Sequence, residues 1–472
     1  MSDIAVVHNG ELSSYGNHVN ALLYKYGLNS FVGTDSEAAA YLMHYLLHLH
    51  GLDIESAVKA LIGESPKYVH DSKALSLIRQ FRWAMLDGPP FAILMGIYHN
   101  DDVYLVAMVD RFKLRPMVIG MDDEHYYVAS EEAAIRAVAP EAQVWTLEPG
   151  GYFIASLKHG VISWGRSREE VDIFFTRRFF PTYVGKDAIN AEGLNYRELN
   201  EEILRRALSG ERVIRIINVR GGQRFIGVNL PRHNIRGGVR VEIYGTPGNS
   251  LANLNNGVEF VVYGNAQDDV ADTMHGGRVV IHGDARDVLG QALQGGEVLI
   301  RGGNAGNRTG IQMREYRDRR PYLIIGGRVD DYLGEYMAGG VIMVLGIDAL
   351  NRCNVQLVGK HVGSGMVGGR IYIRGGKVPE NKIGLTIPYS ELKEFLDASN
   401  DEGLRQDETN KLLNVLMRSE HVRRNRIEYR DLNSDEIKEL EPILRRFTQE
   451  FNLGESIVDA LLGSRYTVVT AE

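Results

Sequence analysis

Between residues 237 and 375 one pattern recurs: a pair of small residues, a run in which alternate positions are apolar, and a closing glycine. Gly237-Gly238-Val239-Arg240-Val241-Glu242-Ile243-Tyr244-Gly245 is the first clear copy. Others run from Asn256-Gly257 to Gly264, Gly276-Gly277 to Gly283, Gly295-Gly296 to Gly302, Gly339-Gly340 to Gly346 and Gly368-Gly369 to Gly375. Gly238, Gly257, Gly277 and Gly296 follow one another at steps of 19, 20 and 19 residues, a period in the range of stacked repeats. Period-two alternation places Val239, Val241 and Ile243, then Val258, Phe260 and Val262, then Val298 and Ile300, on one side of their strands. No single strand can bury that side, so the pattern predicts stacked coils around a shared interior. Glycine supplies the positive φ at the corners and leaves room for the coil above. The expected fold of residues 216–386 is an all-β, right-handed, single-stranded β-helix. The period breaks between Gly303 and Gly326, and the insert Asn304–Arg320, with Arg308, Arg314, Arg317, Arg319 and Arg320, is expected to reach outward from one coil toward a partner or an anion, or to be a solvated loop.

Residues 1–165 read differently, as α+β. A short apolar run, Ile4 to Val7, precedes helical periodicity over Asn17–Tyr26, Ser36–His48, Ile54–Ile62 and Ala74–Met85, with Asp35 or Ser36 able to cap the second helix. Strand patterns follow at Phe91–Tyr98, Val103–Val109, Met117–Gly120, Tyr126–Ser130 and Gly151–Leu157. Residues 166–215 lose this regularity and are expected to connect, with a charged helix over Tyr196–Leu208. Residues 387–472 are expected to form a helical extension, with amphipathic stretches near Ser390–Leu396, Glu408–Met417 and Asp435–Phe451.

Composition narrows the function. The chain has 472 residues, enough for two or three domains. A net charge of −8 without a basic stripe argues against nucleic acid as a partner. No stretch approaches the ~20 apolar residues needed to span a bilayer, and the N-terminus has no leader pattern, so a cytoplasmic protein is expected. The single cysteine, Cys353, excludes an internal disulfide and an iron–sulfur cluster held by this chain alone, since such clusters take about four thiolates. A buried filler is its expected role. The 52 glycines, about 11% against a usual ~7%, gather after residue 220.

Two resemblances follow. The repeat, together with Gly302-Gly303-Asn304-Ala305-Gly306-Asn307-Arg308 and Gly334-Glu335-Tyr336-Met337-Ala338-Gly339-Gly340-Val341, resembles the C-terminal β-helix of glutamate synthase large subunits, the GXGXG domain that a formylmethanofuran dehydrogenase subunit shares. The first 165 residues resemble the class II, N-terminal-nucleophile glutamine amidotransferase domain. Val6-Val7-His8-Asn9-Gly10-Glu11 is similar to that family's strand-ending asparagine-glycine, whose amides form an oxyanion hole. Gly33-Thr34-Asp35-Ser36-Glu37 is similar to the segment whose aspartate holds the substrate ammonium. Asp110 to Pro116, Ala129-Ser130-Glu131 and Leu147 to Gly151 follow in the family's order.

The resemblance also marks a difference. The family's nucleophile is an N-terminal cysteine, whereas the eight residues before Asn9 contain none, and Ser2 stands too far from the oxyanion strand to replace it. A truncated domain without catalytic residues is therefore expected, with Asn9, Gly10 and Asp35 as a vestigial motif. Either it serves packing, or another polypeptide completes a glutaminase. The resemblance implies no cofactor in this chain, and FMN and an iron–sulfur cluster in a partner. The chain would be a hetero-oligomeric scaffold subunit of a glutamate synthase-like oxidoreductase. Alternatives are a subunit of another redox complex, of hydrogenase, transhydrogenase or formylmethanofuran dehydrogenase type, or part of a split glutaminase.

Other motifs have plainer readings. Gly363-Ser364-Gly365-Met366-Val367-Gly368 has dinucleotide-fingerprint spacing but lies inside the repeats, where a corner is expected. His44 and His48 have the i, i+4 spacing of a metal pair without a third ligand. Asp268, Asp269, Asp284 and Asp287 follow strand ends, where aspartates cap turns.

Overall fold

A computed structural model of the chain describes residues 3–29, 31–63, 76, 80–86, 90–163, 180–302, 304–352, 355–386 and 423–471. Two compact units divide it, residues 1–171 and 172–472. Both mix helices with several sheets, and among the described residues no helix is long and apolar enough to cross a membrane.

In the first unit β1 (Ile4–Gly10) is followed by α1 (Tyr15–Tyr26), α2 (Asp35–His44) and α3 (Ile54–Ile62). Then come β2 (Phe91–His99), β3 (Asp102–Val109), β4 (Val118–Met121), β5 (Tyr126–Ala129), α4 (Glu132–Val138), β6 (Gln143–Thr146), β7 (Tyr152–Ser156) and β8 (Gly160–Ser163). The order β1-β2-β3-β7-β8 makes an antiparallel sheet, and β5-β4-β6 a smaller one. Alternation decides which face is covered. Ile93, Met95, Ile97, Val106, Met108 and Ile154 pack with Leu42, Met43, Leu46, Val58 and Leu61 from the helices. Neither Asp35 nor Ser36 caps α2: Thr34 does, its hydroxyl accepting from Glu37 N at 3.2 Å. The α2 helix continues into a wider π-helical turn, Tyr45–Leu49. Three elements escaped the sequence pattern, α4, β6 and β8, each too short for its period to register. The helix expected over Ala74–Met85 lies partly outside the described residues, and Arg82–Ala84 form one 3-10 turn.

The second unit begins with β9 (Ile189–Asn190), α5 (Tyr196–Leu208) and β10 (Val213–Arg220), so the described part of the expected connector contributes strands to the main sheet. That sheet continues through β11 (Arg240–Thr246), β12 (Asn256–Tyr263), β13 (Gly276–Ile281) and β14 (Gly296–Ile300). After the two-residue β15 (Asn304–Ala305) come β16 (Pro321–Ile325), the two-residue β17 (Arg328–Val329), β18 (Ala338–Val344) and β19 (Gly368–Arg374). The remaining elements are β20 (Leu385–Thr386), β21 (Arg423–Arg424), β22 (Arg426–Asp431), α6 (Ser434–Glu450), α7 (Glu455–Leu462) and β23 (Arg465–Thr470).

From β9 to β19 all neighbouring pairs in this sheet are parallel. In the inner column Val241, Phe260, Val279, Val298, Leu323, Ile342 and Ile371 pair in turn. All are buried, as the alternation requires.

The outer face is apolar too. Val261, Val280, Leu299, Ile324, Met343 and Tyr372 form the adjacent column, and Leu440, Ile443, Leu444 and Phe447 of α6 pack over it. The tail is thus helical where expected, but β22 and β23 also join the sheet antiparallel, beside β19. The stretches near Ser390–Leu396 and Glu408–Met417 lie outside the described residues.

A second hydrogen-bonded ladder runs along the corners. Asp269 N donates to Asp287 O, Val288 N to Asn307 O, Arg308 N to Asp331 O and Tyr332 N to Lys360 O, all at 2.8–2.9 Å. Positive φ recurs there at three alternate positions per repeat, as in Asp269, Ala271 and Thr273 or Val288, Gly290 and Ala292. Most of these residues are not glycine, and each left-handed conformation costs on the order of 1 kcal/mol or more; the stacked hydrogen bonds hold it. Glycine is required elsewhere, as at Gly257 (φ +119°), where a Cβ would lie 1.7 Å from Arg236 O. The expected insert is much shorter than its sequence span. Residues 304–314 continue this corner ladder, and only 315–320 leave it, closed by the Tyr316–Arg319 backbone pair.

Candidate functional site

The quoted asparagine-glycine and aspartate meet where β1 ends and α2 begins. Gly10 (φ +141°) lies so close to the turn before β2 that a Cβ would sit 2.0 Å from Pro90 O. His8 turns inward, its side chain 2% exposed, and Asn9 outward. Asp35 Oδ1 lies 3.3 Å from His8 Nδ1 and accepts Ser36 N at 2.8 Å, while Oδ2 accepts Leu12 N at 3.2 Å. Both carboxylate oxygens are therefore engaged within the fold. The neighbouring Glu37 is engaged likewise, taking the backbone N–H groups of Phe31, Val32 and Gly33 at 2.8–3.0 Å.

An aspartate, a histidine and a serine within reach invite comparison with a catalytic relay. A relay needs the carboxylate on one ring nitrogen and the hydroxyl on the other. Here Ser36 Oγ lies 3.4 Å from His8 Nδ1, the nitrogen that also faces Asp35. His8 Nε2 is buried without a hydrogen-bond partner among the described residues. The trio stands at the start of α2, and its geometry is not that of a relay.

The arginines do not converge. Arg308 belongs to the corner ladder, pairing through Nε with Glu335 at 3.0 Å and lying over the Tyr332 ring at 5.5 Å. Arg317 folds over Tyr316, 5.2 Å from its centroid. Arg319 Nη1 donates to His275 O at 3.0 Å. Arg320 donates to Glu315 at 2.7 Å and to Glu439 of α6 at 2.8 Å. Arg314 is placed by its backbone N–H, which bonds Leu293 O at 3.0 Å.

The remaining candidates fall at corners or apart. Asp268 accepts Asp287 N at 3.1 Å, Asp287 accepts Asn307 N at 2.9 Å, and Asp269 accepts the Ser250 hydroxyl at 2.7 Å. Asp284 also lies at a corner, where its N–H bonds Asn265 Oδ1 at 2.9 Å. Gly363 and Gly365 carry the corner's positive φ just before β19. His44 and His48 stand together on α2 and its wide turn, and no group of three or more ligand-type side chains among the described residues could hold a metal ion. Cys353 and Ser2 lie outside the described residues.

Sequence reasoning missed a groove of about 450 Å³ over the paired glycines, walled by Arg240, Glu259, Arg278 and Glu297. Its signal was an arginine or glutamate soon after each pair, in alternating sign. The charges satisfy one another: Arg240 to Glu259 at 3.0 Å, Arg278 to Glu259 at 3.2 Å and Arg278 to Glu297 at 3.1 Å.

Residues 201–386 match the family model described as GXGXG motif. An uncharacterized protein of Archaeoglobus fulgidus is 34% identical over 164 residues, which are 33% of this chain and 42% of that protein, so the chain spans less than half of that relative's length. An uncharacterized protein of Methanocaldococcus jannaschii is 34% identical over 284 residues, 60% of this chain and 90% of that one. A solved structure of the allosteric regulatory enzyme of purine biosynthesis overlaps 52% of this chain and 54% of its own, at 18% identity. Its TM-score of 0.24 carries no argument about the fold.

Proposed function

We propose that this chain, which belongs to the same protein family as the Methanocaldococcus jannaschii protein, is a non-catalytic assembly subunit of a glutamate synthase-like oxidoreductase. The observation that carries this reading is the state of Asp35. An aspartate that holds a substrate ammonium keeps acceptor sites free for it, and Leu12 N, Ser36 N and His8 take three of the about four that this carboxylate has. The match to the GXGXG motif supports the glutamate synthase-like relation.

On this reading residues 216–386 are the right-handed, single-stranded β-helix of that motif, a rigid spine whose parallel strands and corner ladder support the assignment. Residues 1–165 are an amidotransferase-like domain kept for packing, 166–215 join the two, and 387–472 brace the spine. The flavin and the iron–sulfur cluster belong to a partner chain. One cysteine cannot ligate a cluster that wants about four thiolates, so this chain's residues do not fit that group.

Two measurements test the proposal. The isolated chain is expected to release no ammonia from glutamine above background, and the chain purified from its native cell is expected to bring a flavin-containing protein with it. Enzyme-like glutaminase turnover overturns the first part, and a complex without flavin overturns the second. A hydrogenase or dehydrogenase in the complex would move the chain to another redox assembly.

A further inference from the structure

Three imidazoles from two elements form a file in the first unit. His44, near the end of α2, lies 4.7 Å from His48 on the wide turn, ring centre to ring centre. His48 in turn meets His99, at the end of β2, edge to face at 5.0 Å. The turn between them is a π-helical one, a loosened form of helix that is rare and concentrated at functional places. Its Tyr45, Leu46 and Leu47 are buried while His48 faces the β2–β3 hairpin. The rings therefore fasten an irregular turn to a strand end.

We propose that His44, His48 and His99 form a proton-sensitive latch, which holds the Tyr45–Leu49 turn against the hairpin tip while His44 and His99 are uncharged and releases it when those two take up protons. The surroundings of His44 and His99 favour their neutral state. Asn100 Nδ2 donates to His99 Nε2 at 3.0 Å, which makes that nitrogen an acceptor, and His99 Nδ1 is buried without a hydrogen-bond partner among the described residues. The hairpin's carboxylates are occupied. Asp101 takes the Tyr98 hydroxyl at 2.9 Å, and Asp102 takes the Ser156 hydroxyl and Val103 N. Before β1, Asp3 favours a charged His44, but burial and the neighbouring His48 outweigh it and hold the His44 pKa low. Burial, then His48, do the same to His99. On the far side of the turn stand Tyr45, whose ionisation burial and Tyr26 oppose, and His50, packed on the Tyr45 ring at 4.4 Å.

The sign follows from the downward shifts. The unfolded or opened segment binds protons at the ordinary histidine pKa of 6.5, above the closed one. Closure is therefore complete above that pH and weakens as pH falls below it. Hydrogen exchange on the full chain, corrected for intrinsic rates, is expected to show amide protection across residues 45–52 falling about tenfold or more between pH 7.5 and 5. His48→Phe keeps an aromatic ring and removes the imidazole that acts on both His44 and His99, and should flatten that response. Nuclear magnetic resonance titration of the wild-type imidazoles provides a reading that needs no variant: His44 and His99 should lose their protons below the ordinary range. Unchanged wild-type protection, an equal drop in the phenylalanine variant, or ordinary independent titrations would each overturn the latch.

Discussion

Arg370 donates from Nη2 to Glu439 at 2.6 Å, and the same carboxylate accepts Arg320 Nη1 at 2.8 Å and the Tyr322 hydroxyl at 3.2 Å. One glutamate of α6 thereby spans β16 and β19, with β18 between them in the sheet. The side chains of Glu439 and Arg370 are 20% and 29% exposed, so water replaces these bonds only in part. Glu439→Ala should lower the stability of the second unit by about 1–3 kcal/mol, read from urea unfolding. A change indistinguishable from zero would mean that the apolar contacts of α6 hold it alone.

Acid should loosen the second unit in two stages. Burial, reinforced by Arg240 and Arg301, lowers the pKa of His282 from 6.5 to about 4. The unfolded chain then binds the proton more readily, and stability falls as pH drops from 6.5 toward 4. Burial alone would raise Glu436, but Arg430, Asn433 N–H and the Tyr372 hydroxyl overcome it and bring it from 4.5 to about 2. Its contribution is complete above pH 4.5 and disappears as pH falls through about 2. Thermal melts against pH should place the early loss with His282→Phe and the late one with Glu436→Gln, each variant flattening its own window.

Gly257→Ala should prevent the second unit from folding or destabilise it by more than the ~1–3 kcal/mol of a strained φ alone, because the methyl group meets backbone at 1.7 Å. Gly16→Ala is the matched control. It lies in α1 with nothing within 4 Å of an added Cβ, and should be neutral or stabilising by roughly 0.5–1 kcal/mol. Equal melting temperatures for the two variants would refute the close approach of the corners.

Asp35→Ala removes the acceptor for Leu12 N and the partner of His8. A loss of about 1–3 kcal/mol in the first unit is expected, and under the proposed function ammonia release from glutamine stays at background in parent and variant alike. A variant as stable as the parent would show that the carboxylate has no structural part.

Much of the fold was legible because its periods are simple. Ile54–Ile62 and Tyr196–Leu208 form helices over the residues that the pattern marked, and the paired glycines marked where parallel strands begin. The cover on the outer face was legible in principle. Val279-Val280-Ile281 and Leu323-Ile324-Ile325 are unbroken apolar runs, the signature of a strand buried on both sides, whereas the alternation over residues 239–243 and 258–262 points to one interior only. The corners were harder. Val288 and Thr273 adopt positive φ, which no local preference suggests, because hydrogen bonds to the next repeat enforce it. At the candidate site the sequence pointed to Asn9, Gly10 and Asp35, but only the structure reveals that both Asp35 oxygens are engaged by Leu12, Ser36 and His8. His99 is 51 residues beyond His48, and nothing in the spacing joined them.

The way β22 ends the large sheet has a consequence for the molecule in a crowded cell. A naked parallel strand offers its amides to any similar strand, and a stack of near-identical layers could then lengthen end to end into a fibre. Here β23 reverses direction, and the terminal β22 carries Arg426, Glu428, Arg430 and Asp431. Reversed direction and charged side chains at that edge disfavour the pairing of one copy with another.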